Sequence, residues 1–312
     1  MRLVDFFFAL RPLVLVPAWS FFLLGWEAAR ADRGGDLDFP GLRFLLFTLL
    51  MAGVYLANQV ADYESDRLNA KGFFLQRGIF TRAQYVWVAA VFVVVSLEFA
   101  WIHGESMLLF GAAAALGLAY SVPPLRLAAR PGADLVANAL GYGGVALLLG
   151  AGWPSPGPWD DLRLQELPKV LPLWWPRAAA AALAVAAVFL HTTILDLDGD
   201  RRTGKRTTGV ALGMTRSRAA AAAAGLGAAI VAARLEIFAP LRIACAALAA
   251  LGVAALVRPQ WVSSRCVCVG ATAGFALAAG VQAPAFLAGL LVLAVATRIY
   301  YRKRFALAYP SL

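Results

Sequence analysis

Charge is what this chain has least of. Asp, Glu, Lys and Arg make up 15% of its 312 residues, where a soluble globular domain carries roughly a quarter. With 61% of residues hydrophobic, the chain is expected to be an all-α integral membrane protein, its core made of spanning helices. Histidine and cysteine are also scarce, at two and three residues. Cys245, Cys266 and Cys268 lie in or beside apolar segments, with no second Cys/His cluster. That argues against a zinc site or a disulfide framework and for small packing residues. The first residues, "MRLVDFFFALRPLVLVPAWSFFLLGW", lack a small-residue cleavage site and run on as a span, so no cleavable signal peptide is expected. "GYGG" at 141–144 follows no strand and opens no phosphate loop, which argues against a dinucleotide site.

What the chain has is long apolar runs. They fall at 12–28, 41–61, 83–102, 106–122, 133–152, 178–195, 217–235, 239–257, 264–282 and 284–300. Each approaches the ~20 residues a spanning helix needs. The division of the last two rests on "GVQAPA", where Pro284 either opens a new helix or kinks a long one. Small-residue spacing in "AAAAAAGLGAAIVAA" and "GYGGVALLLGAG" fits close helix packing in lipid. One polytopic domain over 1–312 is expected, a bundle of nine to ten helices around a central apolar cavity.

The loops alternate in character. Those after the second, fourth and sixth runs carry Arg67, Lys71, Arg77 and Arg82; Arg126 and Arg130; and Arg201, Arg202, Lys205, Arg206, Arg216 and Arg218. Positive loops stay in the cytoplasm, so these three share that side, and the basic end "RIYYRKRFALAYPSL" joins them if there are ten helices. The segment 153–177, rich in Pro and Trp, reads as an ordered outer loop. The net charge of +10 is then a matter of loop bias and membrane lipids with anionic headgroups, not of nucleic acid. A multi-pass protein of a bacterial inner membrane is expected, with the cavity open to the cytoplasm.

Two acidic clusters interrupt this pattern at the same expected face. "NQVADYESDRLNAKG" at 58–72 places Asn58, Asp62 and Asp66 four apart, and "HTTILDLDGDRRTGKRTTGVALG" at 191–213 does the same with Asp196 and Asp200. On a helix, that spacing stacks side chains on one face about 6 Å apart along the axis. Carboxylates so close repel each other, and a cation is the natural compensation. Hard oxygen ligands at this density suit Mg²⁺, which keeps several waters and bridges to substrate phosphates. Either cluster alone is also what a solvated helix end looks like; two with matched spacing, each followed by basic residues, are not so easily explained. An EF-hand over Asp196, Asp198 and Asp200 fails, because Arg201 stands where the loop needs Gly and Thr207 where it needs Glu.

Lys71, Arg77, Lys205 and Arg206 are placed to hold phosphate oxygens, although positive-inside bias would put basic residues there in any case. A metal-bound phosphate at the mouth of an apolar bundle points to a lipid diphosphate, head on the ions and tail between helices.

These residues resemble the motifs of the UbiA superfamily of intramembrane prenyltransferases. N-x-x-x-D-x-x-x-D stands as Asn58, Asp62 and Asp66. D-x-x-x-D followed by G-K-R-T stands as Asp196, Asp200 and residues 204–207. "YSVPPLRL" at 120–127 resembles the Y-S-x-P-P-x-R-L segment, which carries Tyr120 and Arg126, and Arg11–Pro12 matches the Arg-Pro that opens the first helix. The resemblance covers nearly the whole chain in order. It departs where many members carry R-P-I-x-S-G: here "FFLQRG" puts Phe73 at the Arg and Phe74 at the Pro. Ala128 stands where many members have Lys, and the family usually has nine spans.

The resemblance implies Mg²⁺-dependent transfer of a prenyl group from a prenyl diphosphate to a lipophilic, aromatic acceptor, as in quinone biosynthesis. Two Mg²⁺ ions would be held by Asp62, Asp66, Asp196 and Asp200, with an amide oxygen from Asn58. Lys71 or Arg77 would stand in for the missing Arg. Tyr120 either orients the diphosphate or stabilises the cation, or is an interfacial tyrosine. Asp134 and Asn138, four apart, either line the acceptor pocket or, for Asp134, favour a helix N-terminus. A terpene cyclase would use the same acids without an acceptor. A transporter would place its polar groups near mid-bilayer, where this chain has few.

Overall fold

The computed structural model describes residues 3–69, 72–152, 161–234, 237–307 and 309, with side chains excluded for 161–171. Among these residues every element is helical. In chain order they are α1 (Leu3–Ala9), a tight turn at Pro12–Leu15, α2 (Val16–Asp32), α3 (Gly41–Ala61), α4 (Tyr63–Leu68), α5 (Phe73–Gln76), α6 (Arg82–Ile102), α7 (Met107–Ser121) and α8 (Ala133–Asn138). A π-helical stretch at Ala139–Val145 leads into α9 (Ala146–Ala151). Then come α10 (Asp161–Leu195), α11 (Leu197–Arg202), α12 (Thr208–Arg234), α13 (Ala239–Val257), α14 (Ser264–Gly280) and α15 (Pro284–Phe305).

Local sequence sets several of these boundaries. "TRAQ" makes a capping box at the start of α6: the Thr81 hydroxyl accepts from Gln84 N at 3.2 Å and the Gln84 side chain accepts from Thr81 N at 2.9 Å. Ser263 caps α14 by accepting from Cys266 N at 3.2 Å. Pro284 opens α15 at a first-turn position, where its missing N–H costs nothing. It therefore separates two helices and does not kink one.

Among the described residues, seven helical stretches are long and apolar enough to cross a membrane: 12–32, 41–61, 82–102, 133–151, 172–195, 239–257 and 284–305. α7 and α14 are apolar but shorter, and α12 bends at Gly213 (φ 73°). The segment 153–177 differs from its reading as a loop, because α10 already begins at Asp161. Leu, Arg, Gln, Glu and Lys between its prolines are strong helix formers. Pro168, Pro172 and Pro176 also fall four apart, which gathers their missing donors on one face. Residues 153–160 of that expected loop lie outside the described ones.

The core is apolar and close-packed. Phe21, Phe22, Phe47, Leu50, Phe110, Leu147 and Leu149 are almost fully buried. α2 and α9 cross through a reciprocal pair of glycines. A Cβ on Gly25 would stand 1.9 Å from the Leu147 carbonyl oxygen, and one on Gly150 would stand 1.7 Å from that of Phe22. Only glycine lets these backbones meet. Outward, Trp87, Val91, Val94, Ile243, Leu291 and Val292 are exposed. A large apolar exterior is what lipid, not water, accepts.

Candidate active site

The helices enclose one end-opening cavity of about 420 Å³. Its deep wall is apolar: Pro17, Phe21, Val54, Val185, Val188, Phe189 and Phe275. Its mouth is built by two matching helix breaks. α3 hands over to α4 at Asp62 (φ −97°, ψ 16°), and α10 hands over to α11 at Asp196 (φ −95°, ψ 1°). Helical hydrogen bonding continues through each break. Asp62 N bonds Asn58 O at 2.8 Å and Asp66 N bonds Asp62 O at 2.8 Å; Asp196 N bonds Thr192 O at 3.2 Å and Asp200 N bonds Asp196 O at 2.9 Å. The i, i+4 stripes therefore survive, and Asn58, Asp62, Asp66, Thr192, Asp196 and Asp200 all line the cavity. Glu64 and Asp198, off the stripes, are exposed; Glu64 pairs with Arg67 at 3.4 Å. The two short helices touch where Gly199 leaves room for Asn69: a Cβ there would stand 2.1 Å from Asn69 Oδ1.

Cationic and polar groups converge on Asp62, which is 8% exposed. Lys205 Nζ donates to Asp62 Oδ2 at 2.8 Å, and Asn58 Nδ2 donates to the same oxygen at 3.1 Å. Gly204 (φ 71°) turns the chain, and Lys205 N bonds back to Asp200 O at 2.9 Å, so the loop after α11 delivers the lysine to the other stripe. Arg126, held by its bond to Ala61 O at 3.2 Å, stands 3.9 Å from Asp62 Oδ1. It lines an adjoining outer pocket together with Glu64 and Lys205.

A polar, aromatic wall stands inside the mouth. Tyr120 hydrogen-bonds Asn138, and Asn138 Nδ2 donates to Asp134 O at 2.9 Å. Tyr55 hydrogen-bonds Tyr142, and its hydroxyl donates to Val14 O at 2.9 Å. All four of Tyr55, Tyr120, Asn138 and Tyr142 line the cavity. Asp134 does not. Fully buried, it accepts from Leu135 N at 2.8 Å and Thr208 N at 2.7 Å and from the Thr208 hydroxyl. It secures the starts of α8 and α12, the helix N-terminus role of its two readings.

Of the basic residues singled out in the sequence, Arg11 and Lys205 line the cavity. Arg77 and Arg206 are exposed and line no part of it, and Lys71 lies outside the described residues. Arg77 sits 4.8 Å over the Phe305 ring, because Phe73 and Phe74 draw α5 into an aromatic cluster with α15. Burial opposes the charge on Arg11. Its neighbours, Tyr309 and Asp66 first among them, outweigh that and raise its pKa above the ordinary arginine value. Ser65, Asn69, Tyr55 and Thr192 escaped the sequence reading. Extending each acid stripe by one or two turns would have found them.

The donor set fits Mg²⁺. Asp62 Oδ1 is buried and accepts no hydrogen bond among the described residues; Arg126, 3.9 Å away, is beyond hydrogen-bond reach, so this oxygen still has a lone pair to offer a metal ion. No three carboxylate, imidazole or thiol groups stand together as a complete metal cluster among the described residues.

A helical membrane bundle with paired acid stripes at the mouth of an apolar cavity defines a class: a membrane-embedded site for an anionic head on a greasy tail. The chain belongs to the UbiA prenyltransferase family, whose model matches residues 14–266. Over 116 residues it is 34% identical to homogentisate phytyltransferase of Synechocystis sp., a match spanning 35% of this chain and 36% of that protein. Among solved structures, a UbiA homolog from Archaeoglobus fulgidus bound to GPP and Mg²⁺ has a TM-score of 0.64 at 19% identity, covering 87% of this chain and 95% of that one. The apo UbiA homolog from Aeropyrum pernix K1 has a TM-score of 0.63 at 18% identity, covering 86% and 97%. At these identities the structures share the fold.

Proposed function

We propose that this protein transfers a prenyl group from a prenyl diphosphate to a lipophilic aromatic acceptor, with the cavity mouth on the cytoplasmic side of a bacterial inner membrane. The observation that carries this reading is the pair of acid stripes converging on one cavity whose depth is apolar. Asp62, Asp66, Asp196 and Asp200, with the Asn58 amide oxygen, would hold Mg²⁺. Bound there, Mg²⁺ supplies Lewis-acid neutralisation of the leaving diphosphate. Lys205 and Arg11 offer point-charge and forked donors to the phosphate oxygens. The deep wall from Phe21 to Phe275 takes the prenyl tail and keeps water from the allylic carbon as its C–O bond breaks. The Tyr55, Tyr120 and Tyr142 rings stabilise the positive charge that develops there. Hydroxyl and amide groups of Tyr120, Asn138 and Tyr142 give a polar acceptor a place beside that carbon.

That polar wall favours transfer over cyclisation, which needs no acceptor contacts. The family relative's name, homogentisate phytyltransferase, supports an aromatic acid as acceptor class. The test is incubation of purified protein with Mg²⁺, prenyl diphosphates of several lengths and a panel of aromatic acids, followed by mass spectrometry. Prenylated acceptor is expected. A cyclic hydrocarbon formed equally well without acceptor would replace this reading with the cyclase.

A further inference from the structure

α15 packs lightly against the bundle: only 11% of its apolar window is buried. Its last turns behave differently. Tyr301 is 2% exposed. The Tyr300 ring stacks on Phe8 with centroids 4.0 Å apart, and its hydroxyl donates to Asp5. Arg304 Nε donates to the same carboxylate at 3.2 Å. Asp5 is 1% exposed and Arg304 is exposed, so an ionic contact buried on its carboxylate side ties the end of α15 to α1. A helix that contributes little to the core is thus fastened firmly at one end, and that end lies beside the cavity mouth.

The chain beyond α15 continues this fastening. Ala306 adopts φ 55°, and the N–H groups of Ala306 and Leu307 bond back to Arg302 O at 3.1 Å and Tyr301 O at 3.2 Å. The helix closes there. Tyr309 then rests on Tyr301, centroids 4.5 Å apart, and on Phe73, 6.0 Å away. Its hydroxyl is a polar neighbour of the Arg11 guanidinium, and of the groups around that guanidinium it favours the charge most strongly. Arg11 itself has a left-handed backbone (φ 54°, ψ 57°), a conformation that a non-glycine residue keeps only where its surroundings enforce it. Phe73 occupies the position where many relatives by resemblance carry an arginine, and here it forms the floor on which Tyr309 sits.

We propose that Tyr309 is a positioning residue for Arg11: the C-terminal tail aims the guanidinium into the cavity, so that Arg11 makes the diphosphate contact that Phe73 cannot. A guanidinium has five donors in a fixed fork. One spent on Tyr309 fixes the plane and leaves the rest for phosphate oxygens. This inference rests on the prenyl diphosphate reading of the cavity.

The experiment uses full-length protein in detergent micelles, titrated calorimetrically with geranyl diphosphate in the presence of Mg²⁺ and without acceptor. Tyr309→Phe keeps the ring on Tyr301 and Phe73 and removes only the hydroxyl. It is expected to weaken binding about fivefold to tenfold, the scale of one ordinary hydrogen bond, with unchanged thermal stability. In steady state the KM for prenyl diphosphate rises while kcat is nearly preserved. In an Arg11→Gln background the same substitution has no further effect, because the coupled pair is already broken. Wild-type affinity in Tyr309→Phe, or an equal loss in both backgrounds, overturns the inference while the wild type still binds. Failure of the wild type itself to bind overturns the diphosphate reading and the inference with it.

Discussion

Lys205 and Asp62 lie 143 positions apart in the chain, and the lysine Nζ sits 2.8 Å from the aspartate Oδ2. The contact closes the cavity mouth between the two acid stripes. Both side chains are nearly buried, at 11% and 9% exposure, so the ammonium offsets most directly the charge of a carboxylate that Arg126 reaches only at 3.9 Å.

From that contact comes the first prediction. In the absence of substrate, Lys205 competes with Mg²⁺ for Asp62. Lys205→Met should therefore bind Mg²⁺ several-fold more tightly in a calorimetric titration of the substrate-free protein. Its turnover should nonetheless fall by about 10²–10³, the typical loss when one preorganised charge contact to the reacting group is removed. Unchanged Mg²⁺ affinity would show that the lysine does not guard the metal ligand.

The carboxylates themselves should divide sharply. Asp62→Ala and Asp196→Ala sit at the two helix breaks and face the cavity. Each should lose at least about 10²–10³ in rate at saturating Mg²⁺. Glu64→Ala and Asp198→Ala, both exposed, should lose less than about tenfold, or 1.4 kcal/mol. Equal inactivation of all four would mean that facing does not identify the ligands.

Packing between α2 and α9 offers a test that does not depend on chemistry. Gly150→Ala places a Cβ against the Phe22 carbonyl oxygen, an atom of a helix backbone that cannot step aside. Its cost should reach or exceed the roughly 1–3 kcal/mol of ordinary overpacking, seen as a lower midpoint of thermal unfolding. Gly111→Ala has nothing within 4 Å of its new Cβ and should leave the midpoint unchanged or slightly raised.

The acid stripes were legible in the sequence because a helix converts spacing into facing. Asn58, Asp62 and Asp66 needed only the 3.6-residue period, and that period runs unbroken through the turn at Asp62. Apolar length likewise located the helices. What the sequence hid depends on contacts between distant positions. Nothing near Asp5 announces Tyr300 and Arg304, nothing near Asp134 announces Thr208, and the aromatic cluster that removes Arg77 from the cavity exists only once α5 meets α15. The helical start of α10 was hidden for a local reason: proline and tryptophan counts suggested a loop, while the residues between them favoured a helix.

The same long-range pairing at Asp5 predicts how the chain crosses the membrane. Asp5 is bonded to Tyr300 and Arg304, so α1 and the end of α15 share one face. A chain whose two ends share a face crosses an even number of times, and the seven helical stretches that pass on length and apolarity are odd in number. α7 and α14 are apolar but shorter, and α12 continues for some twenty residues beyond its bend at Gly213. Counting them would bring the crossings to ten, an even number. In a variant whose native cysteines are replaced, single cysteines placed at the exposed positions 130, 204, 260 and 306 should therefore react with a membrane-impermeant thiol reagent from one side, and those at 34, 104 and 282 from the other. If 306 labels from the side opposite 130 and 204, the number of crossings is odd and the Asp5–Arg304 contact does not form in the membrane.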